Sequence, residues 1–305
     1  MMQTITHGGA TIAAFHDEPT GSWQYVVSDP ETRAAAVIDP VWDFDEKAAA
    51  TATRNADRIA SYVRAQNLQL AWILDTHPHA DHFSAAPYLK DQFAAPTAIG
   101  EKVRGVQALW KDIYGLGDDF PTDGRQWDRL FSEGDTFKVG GLDGKVMFSP
   151  GHTMASITYV IGGNAFVHDT LMMPDAGTSR ADFPGGDSHA LYRSIQEILA
   201  LPDDTGVFIG HDYGPEGREP ACFSTVATQK ADNIHVGGGV SEAEFVALRD
   251  KRDATLPLPR LMLYALQVNI RGGRLPEPES DGRAFFRIPA NQFEPPKTGQ
   301  DKEAG

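Results

Sequence analysis

The sequence predicts a four-layer α/β protein in which two sheets pack together and helices lie outside. Three observations predict it. Strand-like apolar runs come in two batches, helical spacing follows the strands of each batch, and four of the runs end in a sharp turn bearing His or Asp. Repeats and low-complexity tracts are not apparent in the sequence.

In the first batch, Trp23-Gln24-Tyr25-Val26-Val27 and Ala35-Ala36-Val37-Ile38 read as strands, and Asp39-Pro40 marks a turn. Residues 48–66 carry helical spacing at Ala49, Ile59, Tyr62 and Val63. Ala71-Trp72-Ile73-Leu74 reads as a buried strand, residues 85–93 as a helix, and the Asp-, Gly- and Pro-rich residues 110–129 as a loop. The second batch comprises Phe137-Lys138-Val139, Lys145-Val146-Met147-Phe148, Ile157-Thr158-Tyr159-Val160-Ile161 and Asn164-Ala165-Phe166-Val167, with Gly162-Gly163 as a hairpin signal. Residues 191–200 then look helical, and Gly206-Val207-Phe208-Ile209 is a further strand. Residues 258–270 form an apolar helix candidate, followed by a Gly- and Pro-rich turn over 271–282 and a short strand, Phe285-Phe286-Arg287-Ile288. This divides the chain into a main domain over 1–255, an extension packed on it over 256–293, and a polar, flexible tail over 294–305.

With 305 residues the chain can bury a large core, and 41% apolar with 23% charged residues is the composition of an ordinary globular protein. A net charge of −15 argues against nucleic acid or an anionic membrane as partner. The first residues lack the basic cap and apolar core of a signal peptide, and no run approaches the roughly 20 apolar residues of a membrane span. A single cysteine, Cys222, excludes an internal disulfide and fits a reducing cytoplasm. It also excludes a thiolate cluster, so any metal must use nitrogen and oxygen ligands.

The densest chemistry lies in Thr76-His77-Pro78-His79-Ala80-Asp81-His82, directly after the buried strand at Ala71. Three imidazoles and a carboxylate within six residues concentrate side chains that bind borderline first-row metals. Three later strand ends repeat the pattern, with Ser149-Pro150-Gly151-His152-Thr153, His168-Asp169-Thr170 and Gly210-His211-Asp212. A lone turn His or Asp is commonly a local cap. Four such turns on strand ends can converge on one rim, which is how a fold gathers distant ligands. Nitrogen and carboxylate donors suit Zn, Fe and Mn alike.

These ordered markers, over residues 77 to 211, resemble those of the metallo-β-lactamase superfamily. The resemblance implies an αβ/βα sandwich, with residues 1–255 as the catalytic domain and the site among the loops of the two sheets. It places His77, His79 and His152 around one metal, Asp81, His82 and His211 around a second, and Asp169 between them. Within that superfamily, Ser179-Arg180-Ala181-Asp182-Phe183 and His211-Asp212-Tyr213-Gly214 are similar to signatures of persulfide dioxygenases. The tail, from Leu258-Pro259-Arg260 to Asn269-Ile270-Arg271-Gly272-Gly273, looks like the bacterial β-lactamase hydrolase-like branch. Two positions depart from the commoner pattern: His168 and Ser179 stand where Gly is usual. The dioxygenase resemblance implies one Fe(II) per chain held by His77, His152 and Asp169, leaving positions for a persulfide sulfur and O2. His79, Asp81, His82 and His211 then become polar neighbours. The implied substrate is glutathione persulfide, converted with O2 and water to sulfite and glutathione in sulfide detoxification. Tyr213, Arg180 and Arg218 are the expected contacts to that anion.

Plainer readings stand beside these. Arg180 is also a natural ion-pair partner of Asp182, and Arg218 a solvated loop charge. His7, His16, His189 and His235 lack clustering and are expected to face solvent or cap turns. Cys222 reads as a packed small side chain, and Ser149 and Ser156 lack a paired base, which disfavours a serine hydrolase. A dinuclear zinc hydrolase of thioesters or lactones uses the same ligands, and a metal-bearing sensor without turnover is a third reading. The apolar segment at 258–270 can pack on its own domain or across a homodimer.

Overall fold

The computed structural model describes residues 1–293, so the tail expected to be flexible at 294–305 lies outside the described residues. The first part of the chain runs β1 (Met2–His7), β2 (Ala10–Asp17), β3 (Ser22–Ser28), β4 (Ala34–Ile38), β5 (Val41–Asp45), β6 (Ala50–Ala52), α1 (Arg54–Ala65), β7 (Gln69–Leu74), β8 (Phe83–Ser84), α2 (Ala86–Phe93), β9 (Thr97–Gly100), α3 (Val103–Tyr114) and β10 (Arg129–Phe131). It continues with β11 (Thr136–Val139), β12 (Leu142–Phe148), β13 (Ile157–Ile161), β14 (Asn164–His168), α4 (Ser188–Leu199), β15 (Gly206–Ile209), β16 (Phe223–Thr225), α5 (Val226–Asp232), α6 (Glu242–Asp253) and α7 (Met262–Asn269).

Among the described residues the strands form a seven-stranded sheet, β1-β2-β3-β4-β7-β9-β10, a six-stranded sheet, β11-β12-β13-β14-β15-β16, and a small sheet, β6-β5-β8. Both large sheets are mixed, with parallel pairs at β4/β7, β7/β9, β9/β10 and β14/β15. Their facing surfaces are apolar and interleave Trp23, Tyr25, Ile38 and Leu74 of the first with Val146, Tyr159, Phe166 and Phe208 of the second. The outer face of the first sheet packs Val26, Val37 and Ile73 on Ile59, Ala60 and Val63 of α1 and Leu89 of α2. The outer face of the second packs Ala165, Val167 and Val207 on Leu191 and Ile195 of α4 and Phe245 of α6. The result is the four-layer α/β sandwich, and each large side chain buried in it contributes about 1.5–3 kcal/mol.

Four local expectations change. The helix expected over 48–66 starts only at Arg54, because Ala50–Ala52 pairs with β5 in register Asp43↔Ala52. Trp110 lies inside α3, whose buried residues Val103, Val106, Gln107, Trp110 and Tyr114 follow helical spacing up to the left-handed cap at Gly115. Residues 285–288 form no strand, since Gln267 takes the bonds a neighbouring strand would: its amide donates to Arg287 O and accepts from Arg287 N. His16 and His235 are buried rather than solvent-facing; His16 packs on Trp23 and His235 Nδ1 accepts the Thr178 N–H. Cys222 is buried, and burial pushes its thiol up to about 12, so it is no nucleophile at neutral pH. No helix among the described residues is long and apolar enough to cross a membrane.

Candidate metal centre

Each of the four histidine- and aspartate-bearing turns leaves the carboxyl end of a strand. The turn after β7 carries His77 to His82, that after β12 His152, that after β14 Asp169, and that after β15 His211. The first comes from one large sheet and the other three from the second, so the centre sits astride the sandwich. A bridge between Ser22 and His211, with Trp23 N–H donating to Gly210 O at 2.8 Å, ties the two rims together. All these groups except the partly exposed Asp81 are buried.

The hydrogen bonds around the imidazoles decide which nitrogen each presents. Thr76 Oγ1 spends its one proton on Asp39 Oδ2 at 2.8 Å, so it accepts from His77 Nδ1 at 3.0 Å and leaves His77 Nε2 as a lone pair. His152 Nδ1 lies 2.9 Å from the Arg180 carbonyl, which only accepts, so His152 Nε2 is also a lone pair. Both face the same carboxylate oxygen, with Asp169 Oδ2 at 3.8 Å from His77 Nε2 and 3.5 Å from His152 Nε2. Donors about 2.1 Å from one ion stand about 3–4 Å apart, so this triangle has the size of a coordination site. Burial holds the His77 and His152 imidazoles below their ordinary range, so they are neutral as a metal requires.

The fit to a metal is carried by orphaned atoms. His77 Nε2, His79 Nδ1 and His82 Nε2 are buried without a hydrogen-bond partner, an expensive state for polar atoms and a usual one for ligands. His79 Nε2 lies 3.0 Å from Asp39 Oδ1, which leaves Nδ1 as its free donor. Burial opposes a charge on His79, but Asp39 outweighs it and raises its pKa. His82 Nδ1 lies 3.0 Å from Asp81 Oδ2, which leaves Nε2. Three donor sets lie within coordinating reach: His77, His152 and Asp169; His79, Asp81 and His82; and Asp81, Asp169 and His211. His211 differs from the rest. Its Nδ1 is 2.5 Å from Asp169 Oδ1 and its Nε2 is 2.6 Å from Asp81 Oδ2, so both nitrogens are engaged by carboxylates. Burial alone would neutralise all three groups; instead the carboxylates raise His211 well above its ordinary range and it lowers theirs.

His168, beside the candidate ligand Asp169, is buried and neutral, pushed down to about 3 by burial. Its Nδ1 accepts the Asp169 N–H at 2.5 Å, and its Nε2 lies 3.0 Å from Thr170 Oγ1. Ser179 Oγ donates to the Asp169 carbonyl. The segment bearing Ser179 and Arg180 is held from α6, where the buried pair Arg249 and Asp253 bonds Thr178 O and Ala181 N at 2.8 and 2.9 Å.

The three expected substrate contacts separate. Arg180 grips Asp182 through two bonds of 2.6 and 2.7 Å and the Pro257 carbonyl at 2.5 Å, so its guanidinium is committed to the scaffold. Arg218 is committed likewise to Asp175 and the buried Asp212. Tyr213 is 70% exposed, and its ring lies nearly parallel to that of His211 at 6.1 Å. Sequence reasoning missed Asp39, Ser22 and Asn269. Asp39 had one legible sign, an Asp-Pro turn at a strand end. Ser22, which lies 3.0 Å from His211 Nε2 and 3.1 Å from Asp81 Oδ2, had none.

Comparison with known proteins places the fold in a family. The family model described as "Metallo-beta-lactamase superfamily" matches residues 17–211. The chain is 60% identical over 283 residues to a "Beta-lactamase hydrolase-like protein" of Agrobacterium fabrum, covering 93% of this chain but 65% of that protein. It is 42% identical to "Glyoxylase B2" of Dictyostelium discoideum, covering 92% of this chain and 97% of the relative. It is 28% identical to the mitochondrial "Persulfide dioxygenase ETHE1" of Bos taurus, covering 83% and 84%. Among solved structures, ETHE1 from Myxococcus xanthus superposes with a TM-score of 0.67 at 28% identity, covering 90% of this chain and all of that one.

Proposed function

The chain belongs to the metallo-β-lactamase superfamily, and from that premise we propose that it is an iron-dependent persulfide dioxygenase acting on glutathione persulfide. The observation that carries this reading is the forced tautomer of two imidazoles. His77 and His152 aim lone pairs at Asp169 Oδ2, while the alternative ligand His211 has both nitrogens on carboxylates. Two imidazoles and one carboxylate form the facial set typical of non-haem iron oxygenases, with positions left for substrate and O2. The likeness to a relative named persulfide dioxygenase, and the residues Ser179 to Phe183, support the same choice.

Iron(II) held by His77, His152 and Asp169 would supply the one-electron chemistry that lets O2 react with a closed-shell persulfide. The chain's own residues set the stage. The Arg180 carbonyl and Thr76 hydroxyl lock the two imidazoles, and His211 holds the second oxygen of Asp169. The hydroxyl of the exposed Tyr213 can donate to an incoming thiol carrier. The overall reaction balances as glutathione persulfide plus O2 plus water giving glutathione and sulfite with two protons. After anaerobic loading with ferrous iron, the chain is expected to consume one O2 per sulfite released. Iron-loaded protein that takes up no O2 with this substrate defeats the proposal.

A second reading rests on Asp81, His82 and His79, which still offer a second set of donors, and on the relative named Glyoxylase B2. On that reading the chain is a dinuclear zinc hydrolase of a thioester or lactone. Two tightly held zinc ions with rapid thioester cleavage would favour it over the first. Because the chain spans 65% of the length of the relatives it matches at 60% identity, neither activity is carried over from them.

A further inference from the structure

We propose that Asn269, at the end of α7, is a positioning residue that shapes the metal-binding loop, so that the C-terminal extension is a working part of the centre. The proposal rests on the loop of residues 77–82 carrying metal ligands, His77 in the first donor set and His79, Asp81 and His82 in the second. Asn269 is 3% exposed, and its amide makes three of the four hydrogen bonds open to it, both donors included, all to the backbone of residues 79–84. Nδ2 donates to His79 O at 2.7 Å and to His82 O at 2.8 Å, and Oδ1 accepts from Ser84 N at 2.8 Å. Two carbonyls and one N–H turned inward make a concave backbone surface that needs two donors and one acceptor. A carboxamide is the neutral side chain that offers this.

Further contacts seat α7 on the loop and close the loop on itself. Ala80 packs with Met262, Leu266 and Ile270, while Phe83 packs with Leu261, Ala265 and Val268, so the loop touches two sides of the helix. Ser84 Oγ closes the loop on Asp75 Oδ1 at 2.7 Å, and Trp127 Nε1 holds the other oxygen of Asp75 at 2.9 Å. Gly273, with φ of 85°, lies so near that a Cβ there would sit 2.4 Å from Ser84 O. Asn269 thus fixes the backbone of His79 and His82, and through them the directions of their free nitrogens.

The test uses cobalt(II) as the metal, read by its visible spectrum and by competition with a chelating dye. Asn269→Asp keeps an acceptor for Ser84 N–H but sets a carboxylate oxygen against the two carbonyls. Asn269→Ala removes all three bonds, and Leu266→Ala loosens α7 without touching them. The metal-free melting temperature of each reports on the fold. The expected result is cobalt affinity 10–100-fold weaker and an altered spectrum in both Asn269 variants, whereas Leu266→Ala melts lower with an unchanged spectrum. Wild-type affinity and spectrum in Asn269→Asp would overturn the proposal, as would Leu266→Ala reproducing the spectral change. A wild-type chain that takes up no cobalt would overturn the metal reading itself, whereas O2 uptake does not enter this test.

Discussion

His168 holds a backbone φ of 42°, a left-handed conformation that a side chain adopts at a cost of about 1–2 kcal/mol. The cost persists because the neighbouring backbone needs the ring. Its Nδ1 accepts the buried Asp169 N–H, and the ring centre lies 4.8 Å from that of His77. Glycine there would relieve the strain but orphan that N–H, at about 1–3 kcal/mol, and leave a void beside His77. His168→Gly is therefore expected to lower stability in urea by about 1–3 kcal/mol and to weaken metal binding. An unchanged unfolding midpoint would show that the ring does nothing the backbone needs. The same residue contributes to a pH effect. An imidazole with a folded pKa of about 3 takes a proton near 6.5 only when unfolded, so stability drops as pH falls from 6.5 toward 3. His77, His82 and His152, also lowered by burial, act in the same direction, and His235, lowered to about 4, joins them. Asp75 opposes them, since burial raises it to about 6 and its folded state binds a proton between that value and 3.8. Each group contributes at most about 1.4 kcal/mol per pH unit, so the imidazoles prevail. Urea melts of chelator-stripped protein should show stability falling between pH 6.5 and 4, and a flat profile would contradict the burial of these rings as neutral species.

At the scale of elements, the turn after β12 shows how tightly a donor is delivered. Gly151 adopts φ of 138°, and a Cβ there would stand 2.2 Å from Leu191 Cα at the start of α4. Gly151→Ala must displace either α4 or the turn carrying His152, and is expected to cost more than about 2 kcal/mol and to reduce bound metal, measured by elemental analysis. Full metal content would mean the helix, not the turn, gives way. Strands were legible where apolar runs were short and closed by Gly or Pro, as at β4, β13 and β15, or by a histidine-bearing turn, as at β7. They were not legible in β1, whose alternately half-exposed Met2–His7 lies at a sheet edge, nor in β6, where alanines favour a helix until pairing with β5 decides otherwise. The donors His77, His152, Asp169 and His211 announce themselves as polar groups on strand ends. Ser22 and Asn269 do not, because each acts on residues 59 to 190 positions away and nothing local records it, while Asp39 shows only its Asp-Pro turn.

On the scale of the molecule, a net charge of −15 surrounds a centre whose nearby arginines are already paired with aspartates. An anionic persulfide is repelled on approach, and salt screens that repulsion over about 10 Å at 0.1 M. Accordingly kcat/KM for glutathione persulfide is expected to rise several-fold between about 20 and 200 mM salt, and a fall would point to a cationic mouth instead. The placement of Asn269 has a further consequence for biosynthesis. A ribosome adding about 5–20 residues per second makes His82 roughly 10–40 s before the amide that braces its loop. The other sheet's histidines also emerge in that interval, so a nascent chain holds the loop for that time without the brace that sets its shape. Tight capture of an ion is thereby deferred until α7 has been made, and a product truncated before α7 is expected to leave the ribosome holding a metal more weakly.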